Sequence, residues 1–281
     1  MKFVDIKNDI AFRKIFGNEN KKEILISFLN AVLKLDNQNQ IKSITLLNPF
    51  QLPKIKGLKV TVIDVKATDD NGNVFIIEMQ LTDKKGLDKR IQYYGAKGYS
   101  SQIDSGDEYL KLKPMIFIGI LDFEYFDTSN YISRHLIMDC ETGERKLKDL
   151  EFNFIELPKF KKDINDLDNS IDKWIYFIKN SENLAVIPEN TNDNGLLTAY
   201  KDAEKHNWTK EELEEYEYAQ MREQDEKGEI ELAKERAEEK KAVEIAKKMI
   251  KANKPIAEII EFTDLTKERI EKLNKEMKNS H

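Results

Sequence analysis

The chain has 281 residues, of which 40% are hydrophobic and 35% charged, and its formal net charge is −6. This length allows one large domain and a small one, or two domains of ordinary size. A single cysteine, Cys140, excludes an intrachain disulfide framework. The first residues carry no apolar segment typical of a signal peptide, and the longest apolar run, Met115–Leu121, is too short to span a bilayer. We therefore expect a cytoplasmic protein with no membrane partner.

The first hundred residues contain alternating helix and strand signals. Apolar residues at three-and-four spacing predict two helices over Asn8–Leu33, separated at Gly17-Asn18. A strand is predicted over Ile41–Phe50. Two β-branched stretches, Lys59–Thr68 and Val74–Leu81, flank the turn sequence Asp-Asp-Asn-Gly-Asn, which predicts a β-hairpin.

Further strands and helices complete the predicted core. The predicted elements are a helix over Asp88–Ile103, a buried strand over Met115–Phe123, two short strands over His135–Met138 and Phe152–Leu157, and an amphipathic helix over Ile171–Ile178. This order predicts an α/β chain of α+β-like character.

The domain organisation follows from a change in composition. The polar segment Pro188–Gly195 interrupts the pattern, so we predict a core over residues 1–190 and a charged helical arm over 191–243. Three short apolar stripes predict a small helical unit over 244–281, with Thr266 as an N-cap. Two interpretations of this unit remain open: a helix-turn-helix-like DNA-binding element, or a helical hairpin for docking or homo-oligomerisation.

The predicted hairpin brings acidic residues together. If its turn centres on Asn71, Asp64 faces Glu78 and Lys66 faces Ile76, so Asp64, Glu78 and Gln80 share one face of the sheet. Four apolar residues, Ile63, Val65, Ile77 and Met79, are expected to pack on the opposite face. Neighbouring carboxylates repel each other unless a proton or a cation lies between them.

A hard cation such as Mg²⁺ suits this pair because it takes oxygen ligands and keeps waters free for chemistry. We expect Asp64 and Glu78 to bind it, with the backbone carbonyl of Met79 as a further ligand and Gln80 hydrogen-bonded to the attacking water or the phosphate. Such an arrangement is suited to phosphodiester hydrolysis. The alternative is that both acids are ordinary residues of a solvent-facing sheet.

Several motifs carry a family resemblance. In chain order they are Asp9-Ile-Ala-Phe-Arg-Lys-Ile-Phe-Gly, Phe28-Leu-Asn-Ala-Val-Leu, Ile63-Asp-Val-Lys-Ala, Ile77-Glu-Met-Gln, Arg90-Ile-Gln-Tyr-Tyr, Gly106-Asp-Glu-Tyr and Ile155-Glu-Leu-Pro-Lys-Phe. Together they resemble the recombination-promoting nuclease (Rpn) family, also called PD-(D/E)XK nuclease family transposases. The resemblance implies a restriction-endonuclease-like core, with a central mixed β-sheet flanked by helices. It also implies a metal-dependent DNA endonuclease that acts in recombination or in mobile-element and phage conflict.

The resemblance extends to individual residues, with one departure. The wider nuclease class has Lys where this chain has Gln80, and a glutamine can neither act as a base nor carry positive charge. By the same resemblance, Asp9 is a candidate extra metal ligand. Arg90 is a candidate phosphate clamp. Three further candidates for contact with DNA are Lys66, Gln92 and Tyr93.

Three functions are compatible with the sequence. They are an active nuclease, a catalytically degenerate nuclease fold that binds DNA or protein, and an interaction protein whose C-terminal helices perform the main role. The lysines of the first hundred residues allow a locally basic face on this acidic chain. No Gly-rich phosphate loop or zinc-spaced Cys/His cluster is present in the sequence.

Overall fold

The computed structural model describes residues 2–48, 50–51 and 61–278. The chain forms two compact units, of which the first ends at Ala219 and the second begins at Gln220. No helix of the described residues is long and apolar enough to cross a membrane.

A mixed six-stranded sheet forms the centre of the first unit. Its strands are β1 (Ile44–Leu46), β4 (Val65–Asp69), β5 (Val74–Gln80), β6 (Met115–Leu121), β7 (Ile132–Leu136) and β8 (Leu150–Glu156). Their order is β1-β4-β5-β6-β8-β7, in which β5, β6 and β8 are parallel and the remaining pairs are antiparallel. Two short strands, β2 (Phe50–Gln51) and β3 (Thr61–Val62), pair separately. The predicted central mixed sheet is confirmed.

Eight α-helices accompany these strands in the described residues. They are α1 (Asp9–Phe16), α2 (Lys22–Leu33), α3 (Leu87–Ser100), α4 (Ser170–Asn180), α5 (Asn194–Ala203), α6 (Lys210–Lys251), α7 (Ile256–Thr263) and α8 (Lys267–Lys278). Asn8 caps α1, accepting hydrogen bonds from the N–H groups of Ile10 and Ala11. The predicted break between α1 and α2 is confirmed at Gly17, whose N–H donates to the Arg13 carbonyl.

Two apolar cores cover the two faces of the sheet. On one face, α1, α2, α4 and α5 bury an aromatic cluster that includes Phe16, Phe28 and Trp174. On the other face, α3 buries Leu87 and Ile91 against strand residues. Such burial contributes about 1.5–3 kcal/mol for each large apolar side chain. The sheet is therefore held between helices, as the family resemblance implies.

Two predicted strands are shorter in the structure. Of the strand predicted over Ile41–Phe50, β1 comprises only Ile44–Leu46, and Pro49 lies outside the described residues. In the strand predicted over Lys59–Thr68, Lys59 also lies outside them, and the ladder with β5 begins only at Val65. The expected packing of Ile63 beside Val65 is wrong, because Ile63 joins the core under α3. Strict alternation fails there since residues 63 and 64 interrupt the strand.

The boundary predicted at residue 190 differs from the structural division at Ala219. Helix α5 packs its buried Leu196, Ala199 and Tyr200 within the main core, and Trp208 and Tyr216 join them. The polar segment that suggested a boundary is a loop within the core. Asp193, which precedes the first residue of α5, caps this helix by accepting a hydrogen bond from the N–H of Leu196.

The second unit is helical. Its small core consists of Ala246, Ile259, Ile270 and Leu273. The predicted N-cap is confirmed, because the Thr266 hydroxyl accepts a hydrogen bond from the N–H of Arg269 at 3.3 Å. Roles of this unit in DNA binding or homo-oligomerisation remain predictions.

Candidate active site

The interruption before β4 places Asp64 beside the end of β5. The Asp64 N–H donates to Glu78 Oε1 at 3.1 Å, and the Met79 N–H donates to Asp64 Oδ2 at 2.9 Å. These bonds continue the hairpin where regular ladder pairing stops. The predicted register is confirmed at Lys66, which lies opposite Ile76. The hairpin therefore brings Asp64 and Glu78 together as expected.

Gln80 and Arg90 extend the same hydrogen-bond chain. Gln80 Nε2 donates to Glu78 Oε2 at 3.0 Å, and an Arg90 Nη donates to Gln80 Oε1. Arg90 Nε is buried and has no hydrogen-bond partner among the described residues. The predicted phosphate clamp thus lies beside the acidic pair, with its guanidinium held through Gln80.

The two carboxyl groups lie in an unfavourable environment for negative charge. Glu78 is only 5% exposed. Burial, and then the neighbouring Asp64 carboxylate, raise the pKa of Glu78 well above its usual range. Burial likewise raises the pKa of Asp64, opposed by the Met79 N–H and by Arg13. Positive charge at this point would stabilise both ionised groups.

Arg13 supplies part of that positive charge, although no role for it was predicted. Its Nε and Nη2 donate to Asp64 Oδ1 at 3.0 and 2.9 Å. Asp9 stands one helical turn earlier, with Oδ2 3.9 Å from Arg13 Nη2. The only available signal was the i,i+4 spacing of Asp9 and Arg13, which places both on one face of α1.

The donor set suits a hard divalent cation. Asp64 and Glu78 provide carboxylate oxygens, and Mg²⁺ is commonly bound by one or two carboxylates together with waters and substrate phosphates. In an extended strand a residue's N–H and C=O point to the same side. The Met79 carbonyl therefore faces the side of Asp64, to which the Met79 N–H donates. The described residues contain no group of three acidic, His or Cys side chains with metal-binding geometry. Asp9 does not form such a group with Asp64 and Glu78, although its charge is close enough to raise the pKa of Asp64.

The remaining candidates for contact with DNA, on β4 and α3, lie in two different places. The pKa of Lys66 is lowered by burial and then by the charge of Lys97, so these two lysines lie near each other. Tyr93 is 40% exposed, and its ring lies 5.9 Å from Lys97 Nζ. Gln92 instead lines an apolar cavity of about 260 Å³, and its side chain donates to the Asp88 carbonyl at 3.2 Å. Gln92 therefore does not join the group around Glu78.

Tyr94 was not among the predicted residues, although it lies closer to the acids. Burial, and then the Glu78 carboxylate, raise the pKa of Tyr94. Tyr94 follows Arg90 by four positions, so both project from one face of α3. A shift of one residue along the helix separates it from the predicted Tyr93.

Residues 6–233 match the family model described as PD-(D/E)XK nuclease family transposase. The match includes the hairpin and helices α1 and α3, which carry the acidic pair and its cationic neighbours. It confirms the family inferred from the motifs and supports a nuclease-type function. Neither a search of curated proteins nor one of solved structures gives a match.

Proposed function

Because the chain belongs to the PD-(D/E)XK nuclease family transposases, we propose that it is a divalent-cation-dependent endonuclease that hydrolyses phosphodiester bonds in DNA. The observation that carries the proposal is the hydrogen-bonded pair of Asp64 and Glu78 at the end of β5. We further propose a role in DNA recombination or in mobile-element and phage conflict, as the resemblance to recombination-promoting nucleases implies.

Asp64 and Glu78 hold the cation, with Mg²⁺ as the expected ion and the Met79 carbonyl as a further ligand. When bound, the cation supplies Lewis-acid polarisation of the phosphate and lowers the pKa of a water molecule. Both carboxyl groups must be ionised to bind it. Their burial, which raises the pKa of each group, is then offset by the cation's charge.

Gln80 orients the attacking water or the phosphate rather than accepting a proton, since an amide is not a base at neutral pH. Its side chain is fixed on one side by Glu78 and on the other by Arg90. Arg90 can shift its guanidinium to a phosphate oxygen, which would also engage its unpartnered Nε. Lys66 and Lys97 add positive charge along the expected DNA path.

Supercoiled-plasmid nicking by the full-length protein tests the proposal. We expect nicking with Mg²⁺ or Mn²⁺, none with EDTA, and none from Asp64→Asn. Asparagine keeps an oxygen that can accept from the Met79 N–H, so this variant should stay folded. The matched control is Asp70→Asn, in the turn of the same hairpin, which should nick like the unmodified protein. Equal nicking by Asp64→Asn and by the control would refute the proposed site.

The second candidate function is that of a DNA-binding protein without turnover. It is favoured by Gln80, which stands where the wider nuclease class has a lysine. It predicts no nicking with any divalent cation from folded protein, together with retained DNA binding. In either case binding should weaken steeply as salt concentration rises, because phosphate contacts dominate such affinities.

A further inference from the structure

Arg13 holds the carboxylate that the proposed function assigns to a cation. Two of its nitrogens donate to the same oxygen, Asp64 Oδ1, at 3.0 and 2.9 Å. The Asp64 side chain is 9% exposed, whereas that of Arg13 is 43% exposed. Arg13 therefore reaches a buried acid from a position in which its own side chain has room to move.

Asp9 offers Arg13 a second acceptor. Asp9 Oδ2 lies 3.9 Å from Arg13 Nη2, which is an ion pair but too long for a hydrogen bond. The other oxygen, Asp9 Oδ1, is buried and has no hydrogen-bond partner among the described residues. A small rotation of Arg13 toward Asp9 would shorten the first contact and keep the guanidinium paired with a carboxylate.

We propose that Arg13 is a displaceable counterion of Asp64, which pairs with Asp64 before a divalent cation binds and moves to Asp9 when the cation takes Asp64. The inference rests on the proposed function, because it assumes that Asp64 is a cation ligand. Two positive groups on one carboxylate oxygen repel each other strongly in a half-buried site. Arg13 therefore lowers the affinity of the site for cations, and Asp9 acts as the acceptor that receives Arg13 rather than as a further cation ligand.

Binding of Mn²⁺ to the full-length protein, followed by electron paramagnetic resonance of the free ion, tests this without reference to nicking. Arg13→Gln should bind Mn²⁺ about tenfold more tightly, since a competing charge close to the ligand is removed. Arg13→Met, which keeps the aliphatic part of the side chain but donates no hydrogen bond, should show the same increase in Mn²⁺ affinity. Lys14→Gln is the matched control, because it removes the same charge from the next residue of α1, where Lys14 pairs with Glu212. Its Mn²⁺ affinity should be unchanged.

Asp9 distinguishes displacement from simple competition. With Arg13 present, Asp9→Asn should weaken Mn²⁺ binding several-fold, because displaced Arg13 loses its acceptor. In the Arg13→Gln background the same substitution should have no effect. Equal weakening in both backgrounds would make Asp9 a cation ligand and overturn the proposal. So would unchanged or weaker Mn²⁺ binding by the two folded Arg13 variants, with folding checked by thermal unfolding.

Asp64→Asn distinguishes a failure of the cation site from a failure of the displacement of Arg13. Unchanged Mn²⁺ affinity in that variant would refute the cation site itself, and with it the proposed function. Loss of Mn²⁺ binding in Asp64→Asn without tighter binding in the Arg13 variants would refute only the displacement.

Discussion

Gln80→Lys introduces the residue that the wider nuclease class carries at this position. We predict that it lowers both the thermal stability and the nicking activity of this protein. Lysine can still donate to Glu78, but it cannot accept the hydrogen bond that Arg90 gives to Gln80 Oε1. Arg90 Nε already has no partner among the described residues, so the guanidinium would lose an acceptor and gain a positive neighbour.

The size of the effect follows from these contacts. A half-buried donor left without its acceptor costs about 1–3 kcal/mol. The charge-assisted bond from lysine to Glu78 opposes the added repulsion between lysine and Arg90, so we take the lost acceptor of Arg90 as the deciding contribution. Taking the middle of that range, a loss of about 2 kcal/mol lowers Tm by about 4–8 °C for a unit of this size.

Thermal unfolding and plasmid nicking would be measured side by side. Nicking should fall about tenfold, because Arg90 no longer has a fixed position relative to the acids. Gln38→Lys, the same change on an exposed loop, is the control and should leave Tm and nicking unaltered. An unchanged Tm together with faster nicking by Gln80→Lys would refute the expected dependence of Arg90 on Gln80. Gln80 would then be a simple substitute for the lysine of the wider nuclease class.

Four further predictions concern the core and pH. Gly195→Ala should destabilise the first unit by about 3 kcal/mol in denaturant unfolding, because a Cβ there would lie 2.4 Å from the Glu23 carbonyl oxygen; Gly228→Ala, with no atom within 4 Å, should be neutral or stabilising. Lys159→Met should cost about 3 kcal/mol in the same assay, because it leaves Glu156, 1% exposed, without its cation. Mn²⁺ affinity measured by calorimetry should fall as the pH is lowered through the raised pKa of Glu78, because protons then compete with the cation for the carboxylate. Without cation, stability should fall as pH rises through that raised pKa, because the folded state then binds more protons than the unfolded state.

The hairpin and its acidic pair could be predicted because local rules determine them. The Asn-Gly turn and two β-branched stretches set the register, and that register places Asp64 opposite Glu78. The contact of Arg13 with Asp64 could not be derived in this way. It joins residues 51 positions apart, and it depends on how α1 packs against the sheet.

Two other differences between prediction and structure have local causes. The α3 contacts depend on helix phase, so Tyr94 approaches the acids while Gln92 turns to the apolar cavity. The domain boundary was predicted from composition, yet a polar loop does not end a core when the following helix carries an apolar stripe. Helix α5 carries one, through Leu196, Ala199 and Tyr200.

The interruption before β4 explains why the acidic pair can be both structural and chemical. Had the ladder continued through Asp64, backbone groups would satisfy one another and the Asp64 side chain would only project from the sheet. Instead the Asp64 carboxylate accepts a hydrogen bond from the Met79 N–H, and the Glu78 carboxylate accepts one from the Asp64 N–H. Each acid thereby fixes the backbone that carries the other, which positions both before any ligand binds. Because these bonds use only part of the four carboxylate oxygens' capacity, the same groups can hold the hairpin and still offer lone pairs to a cation.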